Sequence, residues 1–133
     1  MAIKRVAFVS VTVSDQDRAL VFWRDVIGLE VVRDMPMAPE DCGGEPGGPS
    51  PMRWIEMKIA GADTALVLTM PMGPDDKPGR FVNMAFWTDD LDGTYKALQA
   101  KGVSFTAPPT QQHWGAYALF TDPDNNTFCI SAT

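Results

Sequence analysis

Glu56 is the acidic residue whose setting suggests chemistry. It lies in an alternating run, residues 53–59, with Ile55, Met57 and Ile59 on one side and Trp54, Glu56 and Lys58 on the other. A carboxylate on a largely apolar wall has a raised pKa and can pass protons, so Glu56 is the candidate general base. The inert alternatives are an ion pair with Lys58 or Arg53, or exposure on a twisted strand edge. His113 is the sole histidine, in the segment Gln111-Gln112-His113-Trp114. To act as a base it needs a hydrogen-bond partner and a pKa near working pH; otherwise it faces solvent or touches a ligand at a rim. Cys42 sits in a Gly/Pro segment and Cys129 in an apolar strand, with no Cys-x-x-Cys pair. Both read as free thiols of a reducing cytoplasm, and no neighbour in sequence activates Cys129.

The remaining chemical signal is bulk rather than charge. There are four tryptophans and eight methionines, and Met35, Met37, Met52, Met70 and Met72 flank two Pro/Gly-rich stretches. Aromatic walls with flexible thioethers suit a flat or bulky apolar ligand, including a cationic one held over a ring face. The same residues serve equally to plug a cavity or a dimer interface. Gly43-Gly44 and Gly47-Gly48 are not a phosphate cradle, because no Lys-Ser/Thr follows and no strand-to-helix junction surrounds them.

These residues need elements to hold them. Residues 6–13 alternate, with Val9, Val11 and Val13 on one face and Phe8, Ser10 and Thr12 on the other, which predicts a strand. Ser14-Asp15 supplies cap oxygens for a helix through Phe22, Trp23, Val26 and Ile27, and Gly28 stops it. Phe22 and Trp23 read as core or interface residues. A strand starts at Leu29. Residues 36–52 hold five prolines and four glycines, which predicts a long loop with no regular element. A hairpin of residues 53–59 and 64–70 follows, then a second Pro/Gly loop at 71–80.

The pattern then recurs: a strand at 81–88, a helix capped by Asp89-Asp90 with Tyr95, Ala97 and Leu98 on its apolar side, and Gly102 as the stop. A strand begins at Val103, a loop is expected from Ala107 to Trp114, and strands follow at 116–121 and 127–131. Asp15 and Asp90 are 75 residues apart, as are Asp17 and Asp92, while Gly28 and Gly102 are 74 apart. One half has a single helix and leaves one sheet face unburied, so two halves are expected to pair.

Composition limits the partners. The chain has 133 residues, 45% of them hydrophobic, and a net charge of −6. That describes a single globular domain whose acidity disfavours nucleic acid and anionic membrane surfaces. No apolar run approaches the roughly 20 residues of a membrane span, and the N-terminus lacks the apolar core of a signal peptide. A cytoplasmic protein is expected.

With the repeat in view, the motifs resemble the vicinal oxygen chelate superfamily of glyoxalases, bleomycin-resistance proteins and extradiol dioxygenases. They are Val13-Ser14-Asp15-Gln16-Asp17-Arg18-Ala19, the run from Phe22-Trp23-Arg24-Asp25 to Gly28-Leu29-Glu30-Val31, Asp89-Asp90-Leu91-Asp92, Trp114-Gly115, and Phe120 through Asn126. The resemblance implies an α+β fold of two tandem βαβββ modules, about 4–70 and 80–132, with curled mixed sheets forming a cleft, helices outside, and commonly a homodimer.

The superfamily's enzymes hold a divalent metal on four inward side chains. Carried over residue by residue, those positions here are Phe8, Val67, Asn83 and Cys129. Apolar side chains cannot replace water on a cation, so no metal cofactor is expected there. By parity with these positions Phe8, Trp54 and Trp87 face inward, and the expected ligand-binding set is Phe8, Trp54, Glu56, Asn83, Trp87, His113, Trp114 and Cys129. The resulting expectation is a metal-free binder of a small apolar or aromatic molecule, cationic ones included. The alternatives are a lyase, isomerase or dioxygenase, either with displaced metal ligands such as Glu56, His113 and Asn83, or metal-free with Glu56 as base.

Overall fold

A computed structural model describes residues 2–132. The chain forms two compact units, one up to Pro78 and one from Gly79 onward. In the first unit the elements are β1 (Phe8–Thr12), α1 (Gln16–Val21), a π-helical continuation (Phe22–Ile27), β2 (Glu30–Pro36), a 3-10 turn (Pro39–Cys42), β3 (Arg53–Lys58) and β4 (Ala65–Thr69). In the second they are β5 (Phe81–Thr88), α2 (Leu91–Ala100), β6 (Ser104–Gln112), β7 (Gly115–Thr121) and β8 (Thr127–Ala132).

Each unit carries one four-stranded sheet. The orders are β1-β4-β3-β2 and β5-β8-β7-β6, the same topology twice. In both, the first strand pairs parallel with the fourth and the other ladders are antiparallel. The sequence repeat is therefore a structural repeat, and the α+β class follows from mixed sheets each carrying one helix.

Local chemistry sets the helix ends. Asp15 accepts the Arg18 N–H at 3.0 Å and Asp90 accepts the Gly93 N–H at 3.0 Å, satisfying first-turn donors. Gly28, at φ +98°, ends the first helix in a left-handed conformation that disfavours a Cβ. Just before it the helix widens. The Trp23 carbonyl accepts both Gly28 N–H at 3.0 Å and Leu29 N–H at 2.8 Å, and the Trp23 ring is fully buried. The expected uniform helix to Ile27 is thus α-helical only in its first half.

The cores differ in kind. In the first unit Val11, Val13, Ala19, Trp23, Ile55, Met57, Leu66 and Leu68 are buried. Gln16 is buried among them and replaces three backbone interactions. Its Nε2 donates to Arg53 O at 2.7 Å and Leu68 O at 2.9 Å, and its Oε1 accepts the Arg53 N–H at 2.9 Å. The second unit puts Leu91 at the repeat-equivalent position and packs rings instead. Phe120 stacks on Phe128 with centroids 5.4 Å apart, and Phe86 lies 6.2 Å from each.

Three expectations need correction. Residues 107–112 are not a loop: they continue β6, and only the turn at 113–114 remains of it. The Pro108-Pro109 pair is tolerated because β6 is an edge strand, and the ladder shifts register around it. Nor is 36–52 wholly irregular. Strand β2 continues to Pro36, and Pro39 opens the 3-10 turn, where a missing N–H costs nothing. Ala97, expected on the apolar side of α2, is exposed.

The β7–β8 turn is a polar knot. The Asp122 carboxylate accepts the Asp124 and Asn126 N–H groups at 3.0 and 2.8 Å and the Asn126 amide at 2.9 Å. The Asn126 Oδ1 in turn accepts the Gly79 N–H at 2.8 Å, which ties the start of β5 to the turn. Burial pushes the Asp122 carboxyl above the usual range, against the hydrogen bonds that favour its charged form.

Two outcomes follow. Gln16→Leu strands the Arg53 and Leu68 backbone groups, and urea denaturation should show a loss of about 2–3 kcal/mol, from three hydrogen bonds at roughly 1 kcal/mol each. Asp122 binds its proton more tightly folded than unfolded. Its contribution to stability is therefore greatest below the ordinary aspartate range and declines as pH rises through the folded-state pKa. A carbon-13 carboxyl titration should give a midpoint above about 3.9; a midpoint at or below it would mean the hydrogen bonds outweigh burial.

Candidate functional site

Each helix covers one face of its sheet, and the other face carries the candidate residues. In the first unit Val11 is buried while Phe8, Ser10 and Thr12 point the opposite way. Strand β3 alternates likewise: Ile55 and Met57 face the core, and Trp54, Glu56 and Lys58 occupy the open side. In register across the sheet, Ser10 pairs with Val67 and Val67 with Glu56, whose other cross-strand neighbour is Arg33. Val67 is fully buried at the centre of this face.

The aromatic side chains there are organised. Phe8 and Trp54 meet edge to face with centroids 5.2 Å apart and planes at 90°, the arrangement that opposes ring edge to ring face. Trp54 Nε1 donates to Glu56 Oε1 at 3.1 Å. Glu56 is thus held by an indole, and among the described residues it has no ion-pair partner. Arg53, one expected alternative partner, is taken by Asp34 at 3.0 Å and Asp17 at 2.5 Å. Those two hydrogen-bonded carboxylates hold the Arg53 guanidinium more firmly protonated than usual. At the edge of the same face, the Thr12 hydroxyl donates to Asp76 at 2.5 Å, and Asp76 accepts the Met72 N–H at 3.0 Å. The 71–78 segment is anchored to β1 by these contacts.

In the second unit the open face carries Asn83, Ala85 and Trp87 from β5. Ala85 pairs with Cys129 and Cys129 with Leu119, while Trp87 pairs with Ser131 and Ser131 with Tyr117. Trp114 stacks on Tyr117, 5.6 Å between centroids and 21° between planes. Trp87 is 61% and Trp114 59% exposed, large apolar surfaces left in water. Tyr117 was missed in the sequence, although the alternation of β7 places it beside Leu119 on this side. His113 is exposed in the β6–β7 turn. That turn lies beyond the Thr88 end of β5, whereas Asn83 lies near the Phe81 end, some five residues or roughly 16 Å along the strand. These two side chains do not converge. The Cys129 thiol is half-buried, and desolvation pushes its pKa up, which keeps it protonated and unreactive.

The four positions that the resemblance assigns to a divalent metal do not fit one. Phe8 and Val67 have no lone pair to offer, which leaves only the Asn83 amide and the Cys129 thiol as donors, fewer than a catalytic ion takes. Among the described residues no three of His, Cys, Asp or Glu cluster closely enough to hold an ion.

Comparison with known proteins agrees with the architecture. The model of the Glyoxalase/Bleomycin resistance protein/Dioxygenase superfamily matches residues 4–130. The YetH protein of Bacillus subtilis (strain 168) is 33% identical over 131 residues, covering 96% of this chain and 98% of that one. The crystal structure of TnmS3, described as an antibiotic binding protein from Streptomyces sp. CB03234, superposes with a TM-score of 0.82 at 34% identity, covering 99% of this chain and 98% of the other. A superfamily member from Sphaerobacter thermophilus DSM 20745 gives 0.83 at 32% identity, with full coverage of both chains. With a doubled βαβββ topology and a family match over nearly its whole length, this chain belongs to the glyoxalase/bleomycin-resistance/dioxygenase superfamily.

Proposed function

We propose that this protein binds a small planar aromatic molecule non-covalently and uses no metal at the superfamily's ligand positions. The observation that carries the reading is the set of aromatic side chains on the open sheet faces. These are the Phe8–Trp54 pair in the first unit, and Trp87 with the Trp114–Tyr117 stack in the second. Phe8, Trp87 and Trp114 are exposed, and such rings cost free energy in water that a flat ligand recovers through burial and ring contacts of about 0.5–1.5 kcal/mol each. The similarity to TnmS3 supports a binder over an enzyme. Glu56 and the net charge of −6 favour neutral or cationic ligands over anionic ones. Asn83, His113 and Cys129 supply hydrogen-bonding or soft contacts at the margins. A cytoplasmic homodimer is the accompanying proposal. Among the described residues no helix is long and apolar enough to cross a membrane.

A second reading is a metal-free lyase or isomerase with Glu56 as general base. The Trp54 indole favours it, because the hydrogen bond orients one carboxylate oxygen on a ligand-facing wall.

Three experiments separate these readings. Tryptophan fluorescence titrated with acridine, a cationic acridine and a naphthalenesulfonate should show quenching by the first two and little by the third. Trp54→Ala should weaken acridine binding about tenfold, the loss of roughly 1.4 kcal/mol of ring contact. Equal binding by wild type and variant would overturn the Phe8–Trp54 pair as a binding surface. Glu56→Gln should leave acridine binding intact, and a turnover that it abolished would favour the enzyme. Finally, Cys42→Ser protein exposed to manganese, nickel and iron(II), then desalted, should retain well under one equivalent; stoichiometric retention would refute the metal-free reading.

A further inference from the structure

The 36–52 segment brings sulfur atoms together. The Met37 N–H donates to Met52 O at 3.0 Å, extending the β2–β3 ladder one step past Pro36 and Arg53. Met37 and Met52 are thereby direct cross-strand neighbours, a relation that sets side chains on the same side about 5 Å apart at Cβ. The Ser50 hydroxyl lies 2.5 Å from Met37 O and 2.8 Å from Met52 O, where it bridges the two carbonyls and fixes this pair. The 3-10 turn Pro39–Cys42 then folds back, and Gly43, at φ +81°, ends it. That turn carries the Cys42 Sγ to 4.0 Å from the Met37 Sδ. Met52 is buried, and Met37 and Cys42 are half-buried.

The geometry points to a binding site for a soft monovalent cation, copper(I) or silver(I), formed by the Cys42 thiolate and the thioethers of Met37 and Met52. At a bond length of about 2.3 Å, the length zinc makes to thiolate and close to that of copper(I), three metal–sulfur bonds set 120° apart place the sulfurs about 4.0 Å from one another. The Cys42–Met37 separation matches that triangle edge without rearrangement. Met52, buried beside Met37 across the strand pair, supplies the third sulfur when its unbranched side chain turns toward the other two. Thiolate and thioether donors select soft ions, and two neutral thioethers have little affinity for magnesium, calcium or manganese. On binding, the Cys42 S–H bond breaks, its proton goes to solvent, and the sulfur lone pair forms the metal bond. The ion enters and stays monovalent, so no oxidant or reductant is required. This site uses none of the rings proposed to hold an aromatic ligand, and it stands or falls separately from that reading.

The test is anaerobic titration of the reduced full-length protein with copper(I) held by a chromophoric bicinchoninate competitor, repeated with silver(I). Wild type should withdraw one equivalent and release one proton. Cys42→Ser should lose at least about a hundredfold in affinity, and Met37→Leu/Met52→Leu about tenfold or more, since each removes donors that soft ions require. Cys129→Ser should behave as wild type. Leucine keeps the volume of methionine, and thermal melts confirm that each variant is folded. Failure of wild type to compete overturns the proposal, as does equal affinity in Cys42→Ser. Unchanged affinity in the double leucine variant would reduce the site to a simple thiol and overturn it equally.

Discussion

A four-stranded sheet has two faces, and each unit of this chain has one helix to cover them. The rest of the structure answers to that shortage. The covered face takes the aliphatic and sulfur side chains in the first unit and the phenylalanine cluster in the second. The face away from the helix must present something too, and its side chains set what that face can bind. In an enzyme of this superfamily it would be metal ligands. Here it is Phe8, Trp54 and a buried Val67 in one unit, and Trp87, Tyr117 and Cys129 in the other. Aromatic rings of that kind favour contact with flat apolar surface, and Phe8 and Val67 carry no donor atom for a cation.

The two units solve the same topological problem with different chemistry. Gln16 knits α1 to β3 and β4 by three hydrogen bonds to backbone, a polar device inside an apolar layer. Its counterpart Leu91 does the equivalent task by packing. The loss is asymmetric. Removing Gln16 leaves backbone groups unsatisfied in a buried setting, whereas a leucine leaves only a void. Arg53 shows the same preference for directed contacts in the first unit. Its two carboxylate partners come from the helix and the edge strand, so the guanidinium fastens three elements and is withdrawn from Glu56.

Much of the fold could be read residue by residue. Strand alternation around Val11 and Ile55, the Asp15 and Asp90 caps, the glycine stops and the 75-residue repeat together specify two βαβββ modules. The errors came where tertiary context overrules a local rule. Pro108-Pro109 signals a loop in isolation, but an edge strand spares those positions a hydrogen-bonding partner. The π-helical widening at Phe22 depends on seating Trp23 in the core, which no local pattern announces.

The sequence by itself determined which side chains share a face, because alternation is a property of consecutive residues. Alternation puts Phe8 with Ser10 and Thr12 on β1, and Trp54 with Glu56 and Lys58 on β3; that these sides face inward, and that Phe8 and Val67 stand at metal-ligand positions, is what the family resemblance implies. Only the tertiary structure decided which of those side chains touch. Glu56 accepts from Trp54 and pairs with neither Lys58 nor Arg53, since Arg53 is claimed by Asp17 and Asp34, 36 and 19 residues away. Cys42 meets Met37 because a 3-10 turn folds back on a strand end, and Trp114 meets Tyr117 because a hairpin closes. Partner choice depends on distances through space between remote segments, and periodicity along the chain carries no information about those.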